Sequence, residues 1–420
     1  MKKWTFRALF AYILFGVMIY IYLFYLAGSG VPDVFRGTSA DPTTFMSGKE
    51  LLLSEEYSKI RNLLFFLSTP YEWLLYFFLL LFGVSRLLER WGGSISHFSI
   101  VQTAIYVFSF SFIVFVIQFP FRYLSYYFSS KYGISTQVFS SWMKDGMIDF
   151  WVNFVTMLII VAVLYALMRR FQKRWWLFAW LLSVPFMIFM MFIKPVLIDP
   201  LYNDFYPLKD KELEQKILAL ADEANIPAEH VYEVDMSTKT NAMNAYVTGV
   251  GSNSRIVLWD TTLEQLNDEE ILFIMAHEMG HYVEKHIYVG IGGYLLLTFI
   301  GLWLTAKIMN RTVRIHGDRL KITGVSSISS LPLILLITSI LLFAASPLSN
   351  WASRYQEMRA DRYAIELTVD KKAGVSSFQA LTKAGLSQVH PPFLVKIFRY
   401  GHPTMLERIQ MIEAYPVDHD

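Results

Sequence analysis

Long apolar runs alternate with short polar segments along most of this 420-residue chain. About 20 consecutive apolar residues, wound as a helix, cross the hydrocarbon core of a bilayer. The pattern predicts seven membrane helices, at Leu9–Leu26, Pro70–Leu87, Ile100–Phe119, Trp151–Leu167, Trp175–Ile198, Ile287–Ile308 and Ile328–Ala345. The first run is longer than the apolar core of a signal peptide, and no A-x-A cleavage pattern follows it, so we expect it to be retained. The fold class is therefore a mostly α-helical, multi-pass membrane protein.

The polar segment between the fifth and sixth spans predicts a small α+β unit. Apolar residues at helical spacing indicate a helix over Asp210–Ala224. Short runs rich in β-branched and aromatic residues indicate strands at Val231–Val234, Asn244–Val247 and Arg255–Trp259. Residues 249–254 between the last two strands are rich in turn formers, which favours a hairpin.

A helix that follows this segment carries the pattern H-E-x-x-H. Asn267 and Glu270 resemble a capping box, which predicts where the helix begins. His277 and His281 lie one turn apart on the same face, so both imidazoles can bind one Zn²⁺ ion. Glu278, beside the first histidine, is then placed to take a proton from the metal-bound water. The motif predicts a hydrolytic zinc site.

Catalytic zinc sites usually have a third protein ligand. Glu357 and Asp361 lie one helical turn apart in the C-terminal tail, and two spans separate that tail from the motif. Two crossings return the chain to the same side of the membrane. We therefore assign Glu357 to the metal and expect Asp361 to orient a ligand imidazole through a hydrogen bond.

Three histidines compete with Glu357 for the third position: His286, His390 and His402. His286 is expected to fall off the shared helical face and to point toward the membrane surface. His390 precedes two prolines and is expected in a loop. His402 precedes Pro403 and could donate a hydrogen bond to a developing oxyanion.

Composition supports this class of protein. The chain is 54% hydrophobic and only 17% charged, whereas soluble domains carry about 25% charged residues. Its formal net charge of +2, without clustered basic patches, gives no argument for a nucleic-acid partner, and we expect none. The chain has no cysteine, so histidines and carboxylates must hold any zinc.

Basic residues concentrate in alternate loops, at the N-terminus and near positions 86–90, 169–174 and 307–321. The positive-inside rule places these loops on the cytoplasmic side, and the catalytic segments on the other side. We divide the chain into four segments: five spans over 1–198, the polar insert with the H-E-x-x-H helix over 199–286, two spans over 287–346, and a catalytic C-terminal segment over 347–420.

Several motifs, taken together and in this order, resemble the type I CAAX prenyl proteases, which are integral-membrane zinc metalloendopeptidases of the gluzincin type. The motifs are Asp199-Pro200-Leu201-Tyr202-Asn203, Asn244-Ala245-Tyr246-Val247-Thr248-Gly249, Arg255 to Leu263, the H-E-M-G-H core, Ser353-Arg354, Glu357 to Asp361, and His402-Pro403 with Leu406-Glu407-Arg408. The chain departs from the family with Thr404 where H-P-P is common, and with E-M-R-A-D where E-F-Q-A-D is common.

The resemblance implies seven membrane helices around a water-filled chamber that the zinc domain caps. It implies a substrate that lies as an extended strand beside the strand of the N-A-Y motif. Asn244 and His402 would then stabilise the scissile carbonyl, and Arg354 would lie close by and orient carboxylates.

The expected function is a membrane-embedded zinc endopeptidase with one Zn²⁺ per chain. Its partners would be the lipid bilayer and a peptide or protein substrate, with or without a lipid modification; the oligomeric state is open. The host membrane would be the plasma membrane in a bacterium or the endoplasmic reticulum in a eukaryote. The alternatives are a quality-control zinc protease for membrane proteins, or a non-catalytic scaffold or transporter with a structural zinc.

Overall fold

A computed structural model describes residues 2–248 and 255–416 of the chain. These residues form fourteen α-helices and one small sheet. The helices are α1 Lys2–Ile21, α2 Gly48–Leu81, α3 Val84–Ile95, α4 Ser99–Lys131, α5 Phe139–Arg170, α6 Trp175–Ile193, α7 Lys211–Glu223, α8 Asp260–Gln265, α9 Asp268–Val283, α10 His286–His316, α11 Leu331–Thr368, α12 Lys371–Ala384, α13 Phe393–Arg399 and α14 Met405–Ala414.

Seven of these helices are long and apolar enough to cross a membrane, which confirms the predicted number. They are α1, α2, α4, α5, α6, α10 and α11. The apolar windows of α6 and α10 contain no residue buried within the protein. Such helices place apolar side chains against the acyl chains of a bilayer.

The second span differs from its predicted bounds. We predicted Pro70–Leu87, but α2 begins at Gly48, continues through Pro70 and ends at Leu81. Gly83 then adopts a left-handed conformation with φ of 75°, which glycine tolerates, and a separate helix begins at Val84. The apolar pattern did not reveal this break because apolar residues continue on both sides of the glycine.

The four strands are β1 Phe205–Pro207, β2 Val231–Val234, β3 Ala245–Thr248 and β4 Arg255–Trp259, in the spatial order β1-β2-β4-β3. β2 and β4 are parallel, and the other two pairs are antiparallel. β2 and β4 have the predicted bounds, and β3 with β4 forms the predicted antiparallel pair. The predicted turn, 249–254, lies outside the described residues.

Two details of the sheet were not predicted. The strand expected at Asn244–Val247 begins one residue later: the N–H of Asn244 donates to the hydroxyl group of Thr262, and its C=O accepts from both that hydroxyl group and the N–H of Trp259 in β4. β1 has only three residues, too few for an alternating pattern to show. β3 pairs with β4 alone among the described strands, so it forms one edge of the sheet.

The sheet and α9 share one apolar core. Ile217 of α7, Ile256 and Leu258 of β4, and Met275 and Met279 of α9 are almost fully buried in it. The other face of α9 packs against α11. A Cβ atom on Gly280 would lie 3.1 Å from the Cα atom of Ala360, so glycine permits the close approach of these two helices.

α11 is continuous across position 346, so one helix contributes both to the predicted membrane segment and to the predicted catalytic segment. The division of the chain into four segments remains a prediction. Among α2, α4 and α5 lies a cavity of about 540 Å³ whose lining includes Glu72, Gln118 and Arg122. A water-filled chamber between membrane helices requires a polar lining, and this cavity has one.

Candidate active site

The two motif histidines lie on α9, as predicted. Asn267 accepts a hydrogen bond from the N–H of Glu270, and the Glu270 carboxylate accepts one from the N–H of Asn267, so the capping box is present. The helix then places the Nε2 atoms of His277 and His281 3.2 Å apart. The cap and the apolar buried face together set the direction in which the two imidazoles point.

Glu357 comes to this pair from α11. Its Oε2 atom lies 3.2 Å from Nε2 of His277, and its Oε1 atom lies 3.4 Å from Nε2 of His281. Among the described residues, these three bring their ligand atoms close enough together to hold one metal ion. The even number of crossings between α9 and the catalytic end of α11 explains how residues so far apart in sequence meet.

The three donors fit a zinc ion. Tetrahedral coordination with bonds of about 2.0–2.1 Å places ligand atoms about 3.4 Å apart, close to the separations found here. The charges also fit. Of the carboxylates close to the donor atoms, Asp361 is paired with the guanidinium of Arg408, whereas Glu278 and Glu357 have no arginine or lysine in contact among the described residues. A cation held between these two carboxylates is favourable.

Asp361 lies behind His277 and is fully buried. Its Oδ1 atom is 2.7 Å from Nδ1 of His277, so it accepts the hydrogen bond that leaves Nε2 directed toward the metal site. Burial lowers the pKa of the His277 imidazole, but the Asp361 and Glu357 carboxylates outweigh it and raise that pKa to about 9. The geometry matches the arrangement expected for Asp361.

Arg408 of α14 completes this chain of contacts and was not predicted. Its Nε donates to Oδ2 of Asp361 at 2.9 Å, and its Nη2 donates to Oδ1 at 2.6 Å. The guanidinium also lies 3.9 Å from the ring centroid of Phe378. Burial lowers the pKa of Arg408, but Asp361 more than compensates and raises it, so the two form a stable charged pair.

His281 has a partner, His286, that was predicted to lie elsewhere. Nδ1 of His286 lies 3.0 Å from Nδ1 of His281, and His286 is only 7% exposed. The expectation that His286 points away toward the membrane surface was wrong. Burial, followed by the charge of His277, lowers the pKa of His281 to about 4, which favours the neutral imidazole that binds metals.

His402 lies in the segment between α13 and α14, where its Nδ1 donates to Oε2 of Glu357 at 2.8 Å. Its side chain is 65% exposed, so the rest of the ring faces solvent. His390 bonds instead to the main-chain oxygen of Gly30 and does not join the site. Of the three competing histidines, two therefore contact a proposed ligand from outside, and none replaces Glu357.

A cleft of about 380 Å³ reaches the site at His277. Glu278 and His402 line it, and Asn244 lines the side beside the edge strand β3. Burial raises the pKa of the Glu278 carboxyl, although the charge of His277 opposes this effect. Glu278 remains half-buried, so it is accessible from the cleft.

Arg354 has contacts other than the expected ones. Its Nη1 donates to the main-chain oxygens of Lys396, at 3.2 Å, and of Tyr400, at 2.7 Å. Among the described residues it forms no ion pair with a carboxylate. It holds in place the segment that leads to His402, which corrects the expectation that it orients carboxylates.

Comparison with known proteins identifies the family. The profile of peptidase family M48 matches residues 207–415, and that of the CAAX prenyl protease N-terminal region, five membrane helices, matches residues 28–204. An uncharacterized metalloprotease, YhfN of Bacillus subtilis, is 53% identical over 413 residues, covering 98% of this chain and 97% of its own. This chain belongs to peptidase family M48.

More distant relatives agree with this assignment. A CAAX prenyl protease 1 homolog of Arabidopsis thaliana is 28% identical, covering 70% of this chain and 68% of its own. The crystal structure of Ste24p from S. mikatae has the same fold, with a TM-score of 0.81 at 22% identity and 97% coverage of both chains. The chain is a multi-pass membrane metalloprotease, which sets aside the alternative of a non-catalytic scaffold.

Proposed function

We propose that this protein is a zinc-dependent endopeptidase in which His277, His281 and Glu357 hold one Zn²⁺ and Glu278 is the general base. One observation carries the proposal. The imidazoles of His277 and His281 and the carboxylate of Glu357 approach one another to 3.2–3.4 Å, and a cleft lined by His277 and Glu278 reaches this group. Three protein ligands leave a position open, as in catalytic rather than structural zinc sites.

Each side chain then has a defined task. When bound, zinc supplies a Lewis acid that lowers the pKa of water and polarises a carbonyl group. Glu278 accepts the proton of the attacking water and delivers it to the leaving amine. His402 and Asn244 donate hydrogen bonds to the oxygen of the scissile carbonyl as negative charge develops there. Asp361, held by Arg408, keeps the His277 ring in its orientation.

The edge strand β3 supports a peptide or protein as substrate. Its free side exposes main-chain N–H and C=O groups beside Asn244, and an extended peptide can pair with such an edge. Relatives named CAAX prenyl proteases make prenylated C-terminal peptides the first substrates to compare. If prenylated and unmodified peptides are cleaved at equal rates, lipid recognition is no part of the function.

Glu278→Gln tests the general base. We expect the variant to keep its zinc and to lose peptide hydrolysis by about a hundredfold to ten-thousandfold, the usual contribution of general-base catalysis. Zinc content and cleavage of an internally quenched peptide are measured on the detergent-solubilised full chain. Glu269→Gln, at an exposed position on the first turn of α9, is the matched control and should behave like the wild type.

Removal of the metal completes the test. A chelator should abolish cleavage by the wild type, and added Zn²⁺ should restore it. Undiminished turnover by Glu278→Gln, or activity that survives complete removal of zinc, contradicts the proposal.

A further inference from the structure

The side of the cleft away from the metal ligands contains two arginines. Arg61 belongs to α2, and Arg399 is the last residue of α13; both line the same cleft as Glu278 and His402. Glu278 is the only carboxylate in the described lining of this cleft. The third arginine there, Arg408, is already paired with Asp361.

Neither of these two arginines has an anionic partner among the described residues. Arg399 donates to the amide oxygen of Asn62, a neutral group, and lies 5.9 Å from the ring centroid of Phe65. Arg61 lies 5.2 Å from the ring centroid of Tyr57, and its Nε atom is buried without a hydrogen-bond partner. Both charges are therefore left without compensation inside the cleft.

This arrangement is unfavourable in the protein alone. Burial, and then the like charge of Arg61, lower the pKa of Arg399 to about 10. Partly desolvated like charges repel each other, and a buried charge without a partner costs free energy. A guanidinium presents N–H groups in a planar fork that matches a carboxylate, so an anion that enters the cleft relieves both costs.

Hydrogen bonds hold in place the two helices that carry these arginines. Ser54 and Ser58, on the turns of α2 that precede Arg61, donate to the main-chain oxygens of Ser387 and Leu386. At the other arginine, Asn350 donates to the main-chain oxygen of Ile397, and Arg354 holds Lys396 and Tyr400. The two guanidinium groups thus come from elements that are tied to the rest of the catalytic segment.

The pair lies near the reacting bond. Arg399 precedes His402 by three positions, so their Cα atoms are at most about 11 Å apart. An extended peptide spans the same distance in about three residues. A group bound by Arg399 therefore belongs to the substrate only a few residues away from the scissile peptide bond.

We propose that Arg61 and Arg399 form a subsite for a carboxylate of the peptide substrate, located within about three residues of the bond that is cleaved. This inference rests on the proposed peptidase function and names a feature of its substrate. The carboxylate comes either from the C-terminus of a peptide or from an acidic side chain, and both present the same pair of oxygens to the arginines.

The test uses one uncharged, internally quenched peptide sequence in three forms: with a free C-terminal carboxylate, with a C-terminal amide, and with the amide plus one glutamate near the end. Each form is given to the zinc-loaded full chain and to Arg61→Gln, Arg399→Gln and Arg399→Lys. Lys59→Gln is the matched control, since Lys59 lies on α2 but pairs with Glu55 outside the cleft.

We expect the wild type to prefer a carboxylate form over the amide by about tenfold to a hundredfold in kcat/KM, mostly through KM, as for a lost charged hydrogen bond. The glutamine variants should lose this preference, Arg399→Lys should keep part of it, and Lys59→Gln should keep all of it. Preference for the free C-terminus or for the glutamate form identifies the source of the carboxylate.

Equal kcat/KM for all three peptides in the wild type overturns the subsite while leaving the peptidase intact. Binding of the same peptides to Glu278→Gln tests for the subsite independently of peptide cleavage. If no peptide is cleaved but a carboxylate form binds more tightly, and Arg61→Gln removes that difference, the subsite stands and the peptidase proposal fails. Equal binding of all forms rejects the subsite.

Discussion

The two sides of the cleft differ in whether their charged side chains have partners that compensate the charge. On the metal side, charged groups have partners: Asp361 with His277 and Arg408, and Glu357 with His402. On the other side, Arg61 and Arg399 have none among the described residues. Paired groups hold a fixed geometry, as a metal site requires, whereas unpaired groups keep their binding capacity for a ligand.

The same substitution on each side should have different effects, and this is the largest difference we expect. Arg408→Met leaves Asp361 buried without its cation, which costs about 3–5 kcal/mol in the free energy of unfolding. Arg399→Met should change that free energy by about 1 kcal/mol or less, since relief of repulsion from Arg61 opposes loss of the Asn62 hydrogen bond. Thermal unfolding in detergent measures both, and equal losses would contradict the comparison.

A smaller effect should follow from Asp361→Asn. The amide oxygen still accepts a hydrogen bond from His277, but the negative charge that holds the ring and Arg408 is gone. We expect zinc affinity to fall about tenfold to a hundredfold, as is usual when a carboxylate behind a ligand histidine is lost. Competition with a chelator measures the affinity. Glu366→Gln, exposed on the same helix, is the control; an unchanged affinity in Asp361→Asn would show that Asp361 has no part in metal binding.

The smallest effect concerns the segment that joins the two sides. Thr404 accepts a hydrogen bond from the N–H of Glu407, and the Glu407 carboxylate accepts one from the N–H of Thr404, so this pair caps α14. Thr404→Ala should lower the free energy of unfolding by about 1 kcal/mol, and Thr404→Ser should restore most of it. An alanine variant as stable as the serine variant would show that the cap contributes nothing.

Much of the metal side could be predicted from the sequence because its signals are local or topological. The helical spacing of His277 and His281 is a local signal. The two crossings before Glu357 are a topological one, since they require only a count of spans. These signals brought together the same three residues whose ligand atoms lie close enough to hold a metal ion; their role as zinc ligands remains a prediction.

The remaining contacts depend on packing that no local pattern records. Arg408 lies 131 positions after His277, on a helix whose register at the site depends on a cap and a loop. His286 returns to His281 because α9 ends at Val283 and Lys285 adopts a left-handed conformation with φ of 56°. Helical periodicity assumes that the helix continues, so it wrongly predicted that the His286 side chain lies off the face shared by His277 and His281.

The arginine pair was missed for a related reason. Arg61 belongs to the helix that also forms the second span, and the predicted start of that span was Pro70. Only the continuity of α2 from Gly48 brings a residue of this helix beside the end of α13. The cleft is therefore lined by residues that are far apart in sequence, from α2 near the N-terminus and from α13 near the C-terminus.

The continuity of α11 restricts how the length of this protein can vary. One residue inserted between Pro347 and Glu357 would rotate everything beyond it by about 100°, and would turn the Glu357 carboxylate away from α9. Inserting a full turn of four residues would nearly restore the direction but displace the carboxylate by about 6 Å. The number of residues between the bilayer and the third ligand is therefore as constrained as the spacing within the H-E-x-x-H motif.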